Sequence, residues 1–395
     1  MESNHLPTTL LDLLDNRLLL SHVVPFLSPS ALLSLAAASK SFYSLVFVTH
    51  SRYTFRHLDL STLPYVYNFG PSTNHESDED YLAAPVRRAL YVLNKKAVLS
   101  CVTTLVLDGM PVPATLLWEI FRADASNIRI LSIREVKNLG DEKLLQLLRH
   151  LIRPSRPEGS LKLKALYYFT PSEPVKGSRS RSPERWTFLE TSQGVTDTLG
   201  SQLGQCHISD PNVPTTPSWT NGRGVLFNIA FRNSEEEWIQ LIESCQGLIA
   251  FDVVICHHAP SSEDAPKLAN VALGADGCQN CHAAPEEPRM FGQTSAHDLP
   301  LLSPPPLFAS TVKAAQCPAP GENPKFYARC THCLQGRRCE SCNIWWCEDC
   351  YTPLSQRSAP AQKSAGEIKV HMGLCVRKCL VEELYTGAGE GGMWG

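Results

Sequence analysis

The residues best suited to chemistry in this chain are its cysteines, and they are unevenly distributed. Of 15 cysteines in 395 residues, only Cys101 and Cys206 fall within the first 244 residues, and ten of the others form five close pairs. Two cysteines so close together can point both sulfurs at one ion, and four thiolates in a tetrahedral array suit zinc. This distribution excludes a uniformly disulfide-stapled secreted protein and indicates metal sites in a reducing compartment.

Four of the pairs lie within residues 330–379 and are the strongest signal in the sequence. They are Cys330 and Cys333, Cys339 and Cys342, Cys347 and Cys350, and Cys375 and Cys379. Five residues separate the first pair from the second, and 13 separate the first from the third. Five residues are a tight connection for two pairs that must face the same ion. That spacing favours interleaved sharing, the first pair with the third and the second with the fourth. We therefore predict two zinc ions, with Trp345 and Trp346 filling the small core between them.

A fifth pair, Cys278 and Cys281, has no obvious partner pair. Two interpretations stay open: a third zinc site, or a pair in a loop that binds no metal. Residues that could complete the third site are Cys256, His257, His258, His297 and Cys317. No pattern of a catalytic zinc, nucleophile elbow, Walker loop or kinase is present, so we do not expect an enzyme.

The four pairs resemble those of cross-braced zinc modules such as RING, FYVE, PHD and ZZ domains. RING fingers usually include a histidine ligand, and no histidine stands at a matching position within residues 330–379. The resemblance therefore implies a structural or protein-binding zinc module rather than a ubiquitin ligase in its own right.

The elements that precede these pairs alternate between strand and helix. Strands are predicted at 57–60, 102–107, 128–133, 161–169 and 247–256, and helices at 114–121, 141–152 and 235–243. The strands recur roughly every 25 to 35 residues, close to the period of leucine-rich repeats. We predict a short solenoid over residues 52–170 with a final unit at 224–258, and the alternative is an ordinary α/β domain with a parallel sheet.

The first helical segment, residues 10–48, is rich in leucine and has more apolar surface than it can bury alone. No residue from 18 to 39 carries a formal charge, but Pro25, Pro29 and several serines argue against a membrane span. Ser28 and Pro29 instead predict a helix start between short helices that end near Ser39.

This segment resembles an F-box, most clearly in the run from Leu32 to Val46. The resemblance implies docking onto the Skp-type adaptor of a cullin complex through an apolar set: Leu18, Leu19, Val23, Leu27, Leu32, Leu33, Leu35 and Phe42. Phe55 to Leu60 is similar to the strand that often follows an F-box. The whole chain resembles fungal F-box/leucine-rich-repeat proteins whose Cys-rich C-terminus carries Trp-Trp-Cys-Glu-x-Cys-Tyr, here residues 345–351.

That resemblance implies a substrate receptor of a cullin–RING ubiquitin ligase, a non-catalytic subunit that recruits a target protein through its repeats or its zinc module. The Leu-Pro that usually opens an F-box is replaced here by Leu14-Asp15-Asn16. The alternative is therefore a zinc-dependent scaffold in which the N-terminal helices cap the solenoid.

The predicted organisation is a multidomain α/β chain. An F-box-like module (10–48) and the repeats (52–170) are followed by a disordered linker (171–223), the last repeat unit (224–258), a Pro-rich, loop-like region with one cysteine pair (259–325) and the zinc module (326–384). The net charge of −3 favours neither nucleic-acid nor membrane binding, and the expected location is cytoplasm, nucleus or both.

Overall fold

A computed structural model provides the structure of the protein. It describes residues 9–61, 78–122, 126–157, 159–170, 225–226, 235–256, 258, 265–269, 271–273, 277–282, 289–290, 292–301, 305–316, 325–339, 344–347, 349–351 and 368–380. The predicted linker at 171–223 lies outside the described residues.

The N-terminal segment folds into five short helices, of which the first four have side-chain N-caps. They are α1 (Leu10–Asp15), α2 (Arg17–Val23), α3 (Pro29–Ala38), α4 (Lys40–Ser44) and α5 (Ser51–Thr54). Ser28 caps α3 with Pro29 in the first turn, as predicted. The predicted helix end near Ser39 is confirmed, because α3 ends at Ala38, but the Ser39 hydroxyl also accepts the N–H of Phe42 at 3.1 Å and so begins a further helix, α4.

Five short strands form a parallel sheet in which each strand pairs with the next one along the chain. They are β1 (His57–Asp59), β2 (Thr104–Val106), β3 (Ile130–Ser132), β4 (Ala165–Tyr167) and, after a separate strand β5 (Val225–Leu226), β6 (Ala250–Phe251). The helices between them are α6 (Asp78–Lys95), α7 (Ala114–Arg122), α8 (Asp141–Leu151) and α9 (Glu235–Ser244). The structure confirms the predicted strands at β1 to β4 and the predicted helices α7, α8 and α9, and the fold is α/β.

The two faces of this sheet differ. Alternate residues of each strand point to opposite faces, and one face carries the register Leu58, Leu105, Leu131, Leu166 and Phe251. These side chains are buried in one core with the helices, and that core continues into α1, α2 and α3. We call it the leucine core. The N-terminal helices and the parallel sheet therefore share one hydrophobic interior.

The last predicted strand, 247–256, is wrong as a single element. It divides into β6 and β7 (Ile255–Cys256) around the buried Asp252. The Asp252 carboxylate accepts the backbone N–H groups of Tyr168, Phe169 and Thr170 at 2.8 to 3.1 Å, and the Thr170 hydroxyl at 2.6 Å. Burial raises the pKa of Asp252, and these hydrogen bonds act in the opposite direction. After this bend the chain leaves the parallel sheet.

Beyond the bend the structure is built from short antiparallel strands. One sheet has the order β10-β11-β9-β5, and two further pairs are β7 with β8 and β12 with β13. The new strands are β8 (Lys267–Leu268), β9 (Val271–Leu273), β10 (Arg289–Met290), β11 (Lys325–Arg329), β12 (Val370–His371) and β13 (Leu374–Cys375). The described residues of the region 259–325, predicted to be loop-like, thus include strands β8 to β10, a turn at Ala296–Asp298 and α10 (Val312–Gln316).

Among the described residues, no helix is both long and apolar enough to cross a bilayer. The uncharged stretch 18–39 is divided between α2 and α3 by a turn at Val24–Phe26.

Candidate metal centres

Among the described residues, cysteine and histidine side chains converge at three places beyond the bend at Asp252. In each place the ligand atoms all lie within 4.8 Å of one another. We name them the His-containing cluster (Cys256, His258, Cys330, Cys333), the four-cysteine cluster (Cys278, Cys281, Cys347, Cys350) and the three-cysteine cluster (Cys339, Cys375, Cys379). Each combines donor atoms that zinc prefers.

Strands β7 and β11 position the His-containing cluster. Cys256 ends β7, and Cys330 directly follows β11, which contacts β7. The Nε2 of His258 lies 3.0 Å from the carbonyl of Ala265, so Nε2–H donates there and Nδ1 faces the sulfur of Cys333 at 2.9 Å. A second hydrogen bond of this kind sets the tautomer and orientation of a metal-binding imidazole.

The sulfur–sulfur distances fit a tetrahedral zinc site. A Zn–S bond of about 2.3 Å gives a tetrahedral edge of about 3.8 Å. The Sγ atoms of Cys256 and Cys333 are 3.8 Å apart, and those of Cys281 and Cys347 are 3.7 Å apart. The contact between His258 and Cys333 is shorter than such an edge, and an ion between the two atoms would hold them further apart.

Backbone hydrogen bonds assemble the four-cysteine cluster from two distant turns. The N–H of Gln279 donates to the carbonyl of Trp345 at 2.8 Å, and the N–H of Cys347 donates to the Sγ of Cys278 at 3.2 Å. Asn280 adds an amide contact to the Sγ of Cys350 at 3.4 Å. Amide groups directed at sulfur stabilise the thiolate, which is the form that binds metal.

A β-hairpin positions the three-cysteine cluster. Strands β12 and β13 are joined by Met372 and Gly373, both with positive φ, as a tight two-residue hairpin turn requires. The turn places Cys375 at the end of β13, and the N–H of Cys379 donates to the Cys375 Sγ at 3.4 Å. Cys342, the predicted partner of Cys339, lies outside the described residues.

The three thiols of the His-containing cluster differ in the direction of their pKa shifts. Donation from Cys256 and Cys333 lowers the pKa of Cys330 to about 2. The pKa of Cys256 is raised to about 11, chiefly by its hydrogen bond to Cys330, and the pKa of Cys333 is raised by its bonds to Cys256 and Cys330. Zinc binding to this cluster must release the protons that its thiols carry.

A similar division occurs in the four-cysteine cluster. Burial raises the pKa of Cys278, but N–H groups of Cys281, Cys347 and Asn280 outweigh it and bring the pKa to about 7. Burial, followed by hydrogen bonds to the neighbouring thiols, raises the pKa of Cys347. The backbone N–H groups around Cys278 therefore favour its thiolate, the form that binds metal.

Buried arginines surround the clusters: Arg289, Arg329, Arg337 and Arg338. Arg337 donates to the carbonyls of Trp346 and Cys333, and so joins the turns that carry two clusters. Zinc bound by four thiolates has a net charge of about −2 by formal count, and buried cations offset such charge.

An aromatic core lies among the clusters, as the two adjacent tryptophans predict. Trp345 and Trp346 are buried together with Tyr327, Leu334 and Tyr351. The rings of Tyr327 and Trp345 lie 5.6 Å apart, a distance typical of aromatic pairs.

The predicted sharing of the first and third pairs is wrong. Cys330 and Cys333 join Cys256 and His258, while Cys347 and Cys350 join Cys278 and Cys281. Spacing within 330–379 could not show that β7 and the turn at 277–282 deliver ligands from much earlier in the chain. The predicted grouping of Cys339 with Cys375 and Cys379 is found among the described residues.

Cys256 and His258, predicted as possible partners of the fifth pair, instead join Cys330 and Cys333. His297 lies in none of the three clusters, and His257 and Cys317 fall outside the described residues. The signal that could have located the right partners is the Cys-x-His spacing at the end of a predicted strand, which matches half a zinc site.

The eight residues predicted to bind an adaptor are divided between surface and core. Leu18, Leu19, Val23 and Leu33 are exposed, and Leu27, Leu35 and Phe42 are partly buried. Leu32 is only 4% exposed and packs within the leucine core, so we assign it to that core instead.

Comparisons of this chain with known protein families, with curated proteins and with solved structures found no match.

Proposed function

We propose that this protein is a substrate-receptor subunit of a cullin–RING ubiquitin ligase, docking a Skp-type adaptor through its N-terminal helices. The observation that supports this proposal best is that these helices have two apolar faces. Leu20, Val24 and Leu32 are buried in the leucine core, while Leu18 is 70% and Leu33 is 52% exposed.

An exposed apolar set on a folded segment indicates a binding surface. Besides the four predicted residues, Phe26 is 58% exposed beside α2. Burying each large apolar side chain contributes about 1.5–3 kcal/mol, so a few of them suffice for a stable complex. Because the inner face is anchored in the chain's own core, the outer face can bind a partner without unfolding the helices.

The parallel sheet supports a repeat architecture for the middle of the chain. Strands β1 to β4 and β6 follow one another in register, each pairing with the next. That is the arrangement expected of a short leucine-rich-repeat solenoid. The Cys-rich part would be a zinc module with three ions, one for each cluster, and Cys342 is the proposed fourth ligand of the three-cysteine cluster.

Co-purification with a Skp-type adaptor tests this proposal. The wild-type chain should form a one-to-one complex, and a Leu18→Asp/Leu33→Asp double variant should lose it, because charge on the exposed face opposes burial. Leu248→Asp is the matched control, since Leu248 is also exposed but lies next to β6. Light scattering gives the stoichiometry, and zinc content with circular dichroism verifies folding.

A wild-type chain that is folded and zinc-loaded but binds no adaptor would contradict the proposal, as would a double variant that still binds. The first outcome would favour the second candidate, a zinc-dependent scaffold whose N-terminal helices cap the sheet. That candidate is supported by the continuity of the leucine core from α1 to β1. Its expected signature is slow hydrogen exchange of amides 32–42 that does not change when an adaptor is added.

A further inference from the structure

The second face of the parallel sheet is covered by another part of the same chain. This face carries Thr104, Ile130 and Ala165, with Tyr167 two residues beyond. Leu301, Val312 and Ala315 pack against Ile130, Ala165 and Tyr167 in a small cluster separate from the leucine core. We call the covering segment, described at residues 299–301 and 305–316, the strap.

The strap spans the full width of the sheet. At one edge the N–H of Leu301 donates to the carbonyl of Phe251 in β6 at 2.8 Å. At the other edge the Ser310 hydroxyl lies 2.5 Å from the Thr103 hydroxyl and 3.2 Å from that of Thr104, and it accepts the Nε–H of Arg56 at 3.3 Å.

The ends of the strap are tied to each other and to the Cys-rich part. The Gln316 amide donates to the carbonyls of Ala296 and Leu299 at 2.6 and 2.8 Å, which closes the loop at its base. The chain enters from β10 and returns in β11, two strands that pair with each other. Such a tether gives the strap an effective concentration on the order of millimolar at the sheet face.

One group on the face is left unsatisfied by the strap. Tyr167 is 1% exposed, and its hydroxyl has no hydrogen-bond partner among the described residues. A buried hydroxyl without a partner favours any competitor that offers it one. The large apolar side chains of the strap include Leu299 and Leu301, which are buried, and Phe308, whose ring lies 5.7 Å from that of Phe26. None of them offers a hydrogen bond to the Tyr167 hydroxyl.

We propose that this face of the sheet is a peptide-binding surface and that the strap, which ends in the short helix α10, is its resident ligand. The class of partner is a peptide segment that carries an apolar residue over Ala165, a hydroxyl beside Thr103 and Thr104, and a polar group for Tyr167. The inference rests on the proposed function in one respect: a target of the receptor would bind here by displacing the strap.

The test uses the full chain and a labelled synthetic peptide of residues 299–316 as the probe. In one variant, residues 300–315 are replaced by a Gly/Ser linker of equal length, which empties the face. Fluorescence anisotropy should show one peptide bound per linker-variant chain, and binding about ten-fold or more weaker in the wild type, where the tethered strap competes. Adding Ala165→Leu to the linker variant should abolish uptake, while adding Tyr167→Phe should preserve it.

A second variant, Ser310→Lys, tests the strap in place. It puts a cation beside the Arg56 guanidinium, whose Nε–H the Ser310 hydroxyl accepts in the wild type, and hydrogen exchange of amides 307–316 should accelerate while that of β2 to β4 stays unchanged. A linker variant that loses the parallel sheet would overturn the inference, because the strap would then be core. A folded linker variant that takes up no peptide would overturn it as well. Neither readout involves the adaptor, so this inference and the proposed function can fail separately.

Discussion

The parallel-sheet part of the molecule and its Cys-rich part are stabilised by different forces. Up to Phe251 the interior consists mainly of aliphatic side chains packed between long helices and a five-stranded sheet. Beyond Ile255 the described residues form short antiparallel strands with one short α-helix, α10, and the buried cluster consists mainly of cysteines and aromatic rings. The first part can fold by burying apolar surface, whereas the second has too little regular structure to do so without ions.

This difference implies that metal removal should unfold only one part. Zinc sites in small modules contribute about 10–16 kcal/mol each, more than the usual stability of a domain. Chelation should release three zinc ions per chain and abolish hydrogen-exchange protection of β11 to β13, while amides of β2 to β4 stay protected. Metal analysis together with hydrogen exchange resolved by mass spectrometry measures both.

Loss of protection throughout the chain on chelation would contradict this separation. A count of two released ions would show that one cluster binds no metal, and single Cys→Ser variants, one for each cluster, would identify it.

The junction between the two parts offers the next largest effect. Asp252→Ala should destabilise the parallel sheet by about 3 kcal/mol or more, because it leaves backbone donors at 168–170 buried without an acceptor. Thr170→Val removes a single bond to the same carboxylate and should cost about 1 kcal/mol. Urea unfolding followed by far-ultraviolet circular dichroism measures both variants.

Zinc content is the control for this pair, and it should equal that of the wild type in both. Asp252 lies only four residues before Cys256, a member of the His-containing cluster. If the Asp252→Ala variant also lost the zinc ion of that cluster, the two parts of the molecule would be coupled through the bend.

The smallest predicted effect concerns the contacts around the ligands. Asn280→Ala removes the amide that reaches the Sγ of Cys350 and should weaken zinc binding to the four-cysteine cluster about ten-fold. Asn94→Ala, at an exposed position in α6, is the matched control. Competition with a chromophoric chelator measures the affinity, and equal values for the two variants would show that Asn280 has no role in binding the ion.

The two parts also differ in how far the sequence predicts them. The apolar residues of the run 128–133 have the pattern of a buried strand, and those of 141–152 recur at the spacing of a helix. The sequence therefore predicts β3 and α8 directly. The split of 247–256 could not be predicted in this way, because it depends on hydrogen bonds between Asp252 and residues more than 80 positions earlier.

The metal centres show the same limit. The Cys-x-x-Cys pairs identify most ligands, because the two residues of a pair must reach one ion together. Which pairs share an ion depends on contacts such as Gln279 with Trp345, which are long-range backbone interactions with no local signature. The strap is a further case. The hydroxyls of Ser310 and Thr103 are in contact although 207 positions separate the two residues in the sequence, and the Pro-rich sequence around Ser310 predicts only a loop.

The interleaving of the ligands also imposes an order on synthesis. Cys333 is synthesised 77 residues after Cys256, and Cys347 is synthesised 66 residues after Cys281. At about 5–20 residues per second, each delay lasts several seconds, during which these thiols emerge from the ribosome without their partners. By then the five parallel strands have already been made, so a nascent chain can hold a finished sheet while every zinc site is still incomplete.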